Sequence, residues 1–449
     1  MFSRPGKTFL ALAVSTAACA CSTRHTGQEE QTYPVIRAAV GLVSDDADIG
    51  SAEEKLNVIL REKAGVEIDL EGYGYFTYAE EMKKNLAAKN DYDILFVNNE
   101  TFNESWLSGY YTDLNTLVEE HGQDIITAIG SDVLEQMKIN GSLYALTNVR
   151  DYAITLNTVY LDQDILERFR IDAGEIRTEE DLEAVYEEVH RKDPDVLIMS
   201  AVDYFIKSVP YSFTPPFGVL DEKGETYINY FETDGYLEKL KKVRRWYENG
   251  WIKAEIHGDS VIRDDSHALA LYRYGKPGGD IETDGTYGGR HIAVLNGEDV
   301  IPSGVYFLSA YAVSSASKDP VRAMEVLNLF YSSPEINDIL MEIMYSWTVP
   351  NLFLTAVPEG YPEDIWQQQK AFNENALVLP DAAFTFNPQP VMKEYLAVAE
   401  VYDRYRPVLE NGIAEPQRAL AKMNSEMKEA GIDKVIDEKN RQYKAWRNR

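Results

Sequence analysis

Cysteine is nearly absent from this chain. Its 449 residues hold two, Cys19 and Cys21, and none follows. No disulfide framework can therefore hold the body together, which must rest on a buried core. Positive charge is also scarce: Lys and Arg number 44 against 74 Asp and Glu, for a formal charge of −30. Such a chain repels nucleic acid and anionic lipid surfaces, so neither is expected as a partner. The six histidines fall at 25, 121, 190, 257, 267 and 291, with no ligand spacing. No HExxH, CxxC, Walker or G-x-G-x-x-G pattern occurs, and no G-x-S-x-G elbow. Asp46-x-Asp48-x-Gly50 lacks the third ligand and the closing Glu of a calcium loop. No metal and no cofactor are therefore expected, and no catalytic constellation. With 74 acids, paired carboxylates are inevitable and carry no argument. After Ala18 no apolar run approaches the roughly 18 residues that a spanning helix needs.

What is present begins at the N-terminus. Arg4 and Lys7 precede a short apolar run, Phe9–Ala18, and no acid appears before Glu29. That is the layout of a secretory signal. Thr16-Ala17-Ala18-Cys19 resembles a bacterial lipobox, in which the cysteine receives diacylglycerol; Thr16 stands where Leu is usual. The expectation is a signal peptide over 1–18, lipidation at Cys19 and a polar tether over 19–33. Ala18-Cys19-Ala20-Cys21 is a second register. Cleavage would remove Arg4 and Lys7 and take the charge to −32, so the lipid rather than a basic patch must hold the membrane.

From Val35 the pattern alternates. Val35–Val40 reads as a buried strand, Ser51-Ala52-Glu53-Glu54 as a capping box opening a helix, Val66–Leu70 as an alternating strand, 78–89 as a helix and Asp93–Val97 as another strand. This rhythm predicts a parallel α/β sheet, with ligands beyond the carboxyl ends of its strands. Asn140-Gly141 predicts a type I′ hairpin. Downstream, Thr178 caps a helix that stops before Asp193. Val196–Met199 and Phe307–Ser314 read as strands. Residues 234–249 form a helix with Leu237, Leu240, Val243 and Tyr247 on one face. Lys318-Asp319-Pro320 opens a further helix, and the last seventy residues are mostly helical.

Several stretches together resemble a known family, the extracellular solute-binding lipoproteins of bacterial ABC importers that handle sugars and oligosaccharides. "EEKLNVILREKAGVEIDLEGYGYFTYAEEMKKNLAAKNDYDILF" is similar to the family's opening unit. "INGSLYALTNV" is similar to its crossover hairpin, "YLDQDILERF" to a following helix, and "AYAVSSASKDPVRAMEVLNLFYSSPEIN" to its return strand and helix. "FTFNPQPVMKE", "YRPVLENGIAEPQ" and "AGIDKVIDEKNRQYKAW" resemble a terminal domain of unknown function found in a Gram-positive subset. A Gly-rich segment usual in that subset is missing where Leu340–Tyr345 runs into Ser346-Trp347.

The resemblance implies a two-lobe, type II-like periplasmic-binding-protein fold with hinge strands and a helical C-terminal segment. Lobe 1 would span 34–147 plus 310–378, and lobe 2 would span 148–309 plus 379–449. It implies a monomer, anchored at the outer face of the cell membrane, that passes a sugar or oligosaccharide to a permease. A peptide or other polar solute as ligand, and a surface glycan hydrolase or lyase using two carboxylates, are the alternatives. Sugars offer apolar CH faces and rings of hydroxyls, so aromatic platforms and Asp, Asn or Arg side chains are the candidates. Asp45, Asp46, Asn98 and Asn99 follow strand ends; loop and helix capping is their other reading. Trp106 and Trp347 lie near the inferred cleft edges. Arg150, Asp151 and Tyr152 come just past the crossover, where Arg150 and Asp151 form either a ligand contact or an ion pair at the hinge. Tyr272-Arg273-Tyr274 leads into Gly275–Gly279, either a lid or a surface turn.

Overall fold

The structure is a computed structural model. It describes residues 32–448 apart from 89–90, 99, 103–108, 201, 203–204, 206–216, 254, 258–259, 263–266 and 296. Cys19, Asn99 and Trp106 lie outside the described residues.

Two five-stranded sheets organise the chain. Their strands are β1 (Val35–Leu42), β2 (Glu67–Gly74), β3 (Ile94–Val97), β4 (Leu146–Thr147), β5 (Ile154–Asp162), β6 (Ala270–Gly275), β7 (His291–Val294), β8 (Asp299–Ile301), β9 (Ala310–Val313) and β10 (Leu377–Val378). The first sheet runs β2-β1-β3-β9-β4. β1 pairs in parallel with β2, from Val35↔Glu67 to Leu42↔Gly74, and in parallel with β3. β9 returns antiparallel to β3, with Ala310 opposite Val97, so the sheet is mixed rather than all parallel. The second sheet runs β6-β5-β8-β10, with β7 also on β5.

The helices that matter below are α1 (Ile49–Lys63), α2 (Tyr78–Ala87), α3 (Glu179–Lys192), α4 (Asp234–Glu248), α5 (Gly279–Tyr287), α6 (Pro320–Ser332), α7 (Pro334–Met341), α8 (Ile365–Asn375), α9 (Met392–Leu409), α10 (Pro416–Ala430) and α11 (Ile432–Arg447). Local chemistry sets several ends. Asp319 accepts from Arg322 N with Pro320 at the first turn of α6, where its missing N–H costs nothing. Thr178 and Asp181 form a reciprocal capping box on α3. α1 starts two residues before the expected box: Asp48, not Ser51, is its N-cap and accepts from Ser51 N at 3.0 Å. Glu53 is drawn away to accept from Leu70 N of β2 at 2.8 Å.

Other expectations fail for tertiary reasons. Val196–Met199 is no regular strand: Met199 bridges to Ile252, while the Leu197 and Ile198 carbonyls accept from Leu269 N and Ala270 N at 2.9 Å. The Phe307–Ser314 strand shrinks to β9, because Val305–Phe307 form a 3-10 turn. α4 buries Tyr236, Leu240, Val243 and Trp246. Its face is thus turned by one residue, since the second core has room for the larger indole of Trp246. The Asn140-Gly141 hairpin holds: both residues have positive φ, 52° and 84°, and Ile139 and Ser142 exchange backbone bonds at 2.8 and 3.1 Å.

There are two main cores. The first gathers residues 36–153 and 301–353, with Ala376, Ala382 and Ala383, around Leu56, Ile94, Phe96, Leu327 and Phe330. The second gathers 159–294 and 384–443 around Tyr186, Leu240, Trp246, Val398 and Met423. The chain crosses between them near 148–154, 301–310 and 376–384. These crossings are tied together. Asp381 is buried and accepts from Tyr227 and Ser303 hydroxyls, each at 2.6 Å. On α8, Asn373 accepts from Ala153 N at 2.8 Å and donates to Arg150 O at 2.7 Å. Among the described residues no helix is long and apolar enough to cross a membrane.

Candidate functional site

The carboxyl ends of β1, β2 and β3 lie together, as parallel pairing requires. Past β2 come Tyr75 and Phe76. Tyr75 packs edge-on against Phe76 at 5.2 Å, Tyr345 at 5.8 Å and Trp347 at 6.4 Å between ring centroids. Tyr345 and Trp347 stack face to face, 4.2 Å apart and 14° from parallel. The shelf is anchored inward through Phe96, 6.2 Å from Tyr75 and itself packed on Tyr78 and Tyr311. Its outer face is open: Phe76 is 83% exposed and Trp347 36%. Phe76 is thus an apolar ring left largely in solvent beside the rings of Tyr75 and Tyr345.

The shelf does not lean on loop chance. Val43 N donates to Ile343 O at 2.9 Å, joining the end of β1 to the segment after α7. The Asn148 side chain donates to Trp347 O at 2.9 Å and Val349 O at 3.1 Å. Tyr152, through its hydroxyl, donates in turn to the Asn148 carbonyl, and its ring meets Tyr306 edge-on at 5.2 Å. Tyr152 therefore supports the crossover that carries the shelf. The Tyr75 phenol is pushed up by burial, an effect the nearby Arg150 charge opposes and that of Glu100 reinforces.

Arg150 and Asp151 belong to a chain of ion pairs across the crossover. Arg150 Nε lies 3.2 Å from Asp151 Oδ1, and Lys276 Nζ 2.7 Å from Asp151 Oδ2. Lys276 also pairs with Glu282 at 2.6 Å, and Glu282 with Arg273 at 3.4 Å. Asp151 is 5% exposed. Burial pushes its carboxyl up, but Lys276 and Arg150 outweigh that and hold it below the usual range. Burial lowers the Lys276 amine, and Asp151 and Glu282 more than reverse it, leaving it above its ordinary value. The stretch expected as a lid or surface turn, Gly275–Gly279, makes a part-exposed turn at 277–278. Residues 270–275 are β6, and a Cβ on Gly278 would meet Tyr361 at 2.8 Å, so the turn is packed against the segment leading to α8.

The loop candidates are placed differently from one another. A Cβ on Gly74 would come within 2.7 Å of Asp45 Oδ1, so the glycine lets the Asp45 carboxylate lie against the backbone just before Tyr75. Asp46 is exposed and accepts from Ser44 Oγ at 2.6 Å, which lowers its carboxyl. Asn98 uses its side-chain oxygen to cap the next turn, accepting from Glu100 N at 3.1 Å and Thr101 N at 2.9 Å. Asp45, Arg150 and Trp347 are thus brought toward Tyr75, whereas Asp46 and Asn98 have local tasks. Sequence reasoning missed Tyr75, Phe76, Tyr345 and Glu100. It also missed Tyr395 of α9, packed on Phe217 at 5.3 Å, whose phenol is raised by burial and then by the charge of Glu100. The Glu100 charge thus acts on a phenol packed against each core. The run Tyr73–Tyr78, with four aromatics in six residues, was the available signal.

Residues 380–448 match the family described as a domain of unknown function, DUF3502. The chain is 24% identical, over 97% of its own length and 96% of the relative's, to a carbohydrate ABC transporter substrate-binding protein of Streptococcus pneumoniae serotype 4 (strain ATCC BAA-334 / TIGR4). It superposes on the N-glycan transport solute binding protein NgtS of Streptococcus pneumoniae with TM-score 0.76, at 20% identity, covering 92% of this chain and 99% of that one. Against the same protein in complex with Man1GlcNAc and with Man5GlcNAc the TM-scores are 0.68 and 0.65, at 20% identity; each covers 93% of this chain, and 100% and 99% of those chains. The Streptococcus pneumoniae substrate-binding protein FusA in complex with kestose gives 0.62 at 12% identity, covering 93% of this chain and all of that one. Over nearly its whole length the chain is thus similar to a carbohydrate ABC transporter substrate-binding protein, it has the two-lobe α/β fold of the solute-binding proteins it superposes on, and its C-terminal residues match DUF3502.

Proposed function

We propose that the protein captures an oligosaccharide between its two lobes and delivers it to the permease of an ABC importer, without transforming it. The observation that carries this reading is the open aromatic shelf of Tyr75, Phe76, Tyr345 and Trp347 at the strand ends. Stacked rings with one free face suit the CH faces of pyranoses, and Asp45, Glu100 and Arg150 stand near enough to meet hydroxyls. Relatives named for carbohydrate transport and solved with glycans support the same class of ligand. The ligand is neutral or weakly charged. Arg150 and Arg273, the two arginines placed to attract a uronate, already face Asp151 and Glu282, as Lys276 does.

Three structures of one relative give TM-scores from 0.76 down to 0.65 at equal identity. That spread supports lobes that change their mutual angle around a glycan. The chain works as a monomer, held at the outer face of the membrane by lipid on Cys19, with 19–33 as its tether. Lobe 1 comprises 34–147 plus 310–378 and lobe 2 comprises 148–309 plus 379–449. β10, at the end of the proposed lobe 1 span, pairs with β8 of the second sheet and so joins the lobes there. The test is a thermal-shift screen against neutral and uronate-containing oligosaccharides, followed by product analysis. A ligand at 100 times its Kd adds about 2.7 kcal/mol of stability. Stabilisation by uronates alone would contradict the charge argument, and release of shortened sugars would contradict simple binding.

A further inference from the structure

A second cavity, of about 220 Å³, lies between the lobes away from the shelf. Lobe 1 contributes Phe102 and Asn140 to it; Phe384, Asn387, Gln442 and Trp446 come from the DUF3502 domain. It is not a slack contact between surfaces. The Trp446 ring stacks near Tyr443, 5.8 Å away at 19°, and rests against Phe384 at 5.8 Å. Its indole N–H donates to Gln136 O of lobe 1 at 3.3 Å, and the ring packs against both cores. The polar side is held equally firmly. Gln442 and the backbone of Asn387 exchange two bonds, at 2.7 and 2.9 Å. Glu438 fixes the neighbouring Arg441 at 2.8 and 2.6 Å and accepts from Gln442 at 2.8 Å. Asn140 stands at the tip of the hairpin, with φ 52°.

Rigid aromatic faces beside the Asn140 amide and the Arg441 guanidinium are what a pyranose ring needs, apolar contact for its CH face and polar groups for its hydroxyls, while Gln442 spends its amide on Asn387 and Glu438 and frames the cavity. Phe102 N donates to Asn98 O at 2.8 Å, so the cavity wall is continuous with the turn that follows β3. We propose that this cavity is an accessory carbohydrate subsite that takes one pyranose ring of the captured oligosaccharide, with the DUF3502 domain supplying its aromatic face. The proposal rests on the oligosaccharide reading above. It gives the terminal domain a task, since a ring held there touches both lobes and reports the length or branching of the cargo to their closure.

Tryptophan sites make the test. The six tryptophans include Trp347 in the shelf and Trp446 in the cavity. Protein labelled with 5-fluorotryptophan would be titrated with Man1GlcNAc, Man5GlcNAc and kestose, with the Trp446 line assigned from Trp446→Phe. The expected result is a saturable shift of both lines with the longer sugars. Ala445→Tyr, which fills the cavity from an exposed helix position, should weaken the longest binder roughly five- to tenfold and leave the shortest unchanged. Asn140→Gly, which keeps the positive φ and removes the amide, should act in the same direction. A shift at Trp347 with Trp446 silent for every sugar overturns the subsite and leaves the function standing. Silence at both overturns both. A shift at Trp446 alone upholds the subsite and overturns the placement of the main cleft.

Discussion

Replacing Asp151 by Asn tests whether the crossover is held by charge. The carboxylate is 5% exposed, with Lys276 at 2.7 Å and Arg150 at 3.2 Å. Removing one partner of a buried pair leaves an uncompensated charge, at a cost of about 3–5 kcal/mol. Glu282 still faces Lys276 at 2.6 Å, and its side chain is 34% exposed. Part of the compensation therefore survives, and about 3 kcal/mol is the expected loss. Urea unfolding at neutral pH would read it, with hydrogen exchange across 148–154 locating it, since two lobes need not unfold in one step. The companion variant is the double replacement Asp151→Asn with Lys276→Met. Taking away both charges should recover stability relative to the single change, because no unpaired buried amine remains. If the double variant is no more stable than Asp151→Asn, or if the single change costs nothing, the ion-pair account of the hinge is wrong.

The same groups set a pH window. The Asp151 carboxyl is held low in the fold, so its contribution is present above its unfolded value of about 3.9 and fades as pH falls through the folded one. The Lys276 amine is held high, so its contribution is complete below about 10.4 and fades as pH rises beyond that. The stability gap between wild type and Asp151→Asn, measured from pH 3 to neutrality by urea midpoints, should therefore close on the acid side. Trp347→Ala removes the outer ring of the shelf and should weaken sugar binding by about 1–2 kcal/mol in calorimetry, with folding stability nearly unchanged; wild-type affinity would place the ligand elsewhere. Asn99→Ala should cost about 1 kcal/mol of binding if that amide meets a hydroxyl. Cys19→Ala should release the protein into the medium, whereas release only on changing Cys21 would move the lipid to the second register.

Much of the fold could be read from local pattern. The hairpin at Asn140-Gly141 needs only two residues that tolerate positive φ, and both are adjacent in the chain. α3 and α6 carry their caps in their own first turns. Where tertiary contacts compete, the local reading slips. Ser51-Ala52-Glu53-Glu54 has the pattern of a capping box, yet the helix begins earlier, because Asp48 accepts from Ser51 N and so places Ser51 inside the first turn. Tyr247 looked like a core residue of α4 until the second core proved to take Trp246, which lies 5.0 Å from Phe205 and 5.5 Å from Tyr272. β9 had the composition of any buried strand, and nothing local told its direction against β3.

The site was harder for a specific reason. Loops after β1 and β3 drew attention because strand ends gather ligands, but gathering does not say which side chains remain free. Asn98 spends its oxygen on Glu100 and Thr101, a task any Asn before a helical turn can have. The shelf is assembled from Tyr75 and Phe76, from Tyr345 and Trp347 some 270 residues later, and from Asn148, which ties their backbone down. Each piece read alone is an ordinary aromatic or amide. Only the pairing of β1 with β2, and the bond from Val43 to Ile343, bring the pieces to one edge. With Met344 buried and Tyr345 beginning the shelf, the outer face of Trp347 is left open. An open aromatic face of this kind is what the proposed oligosaccharide cleft requires.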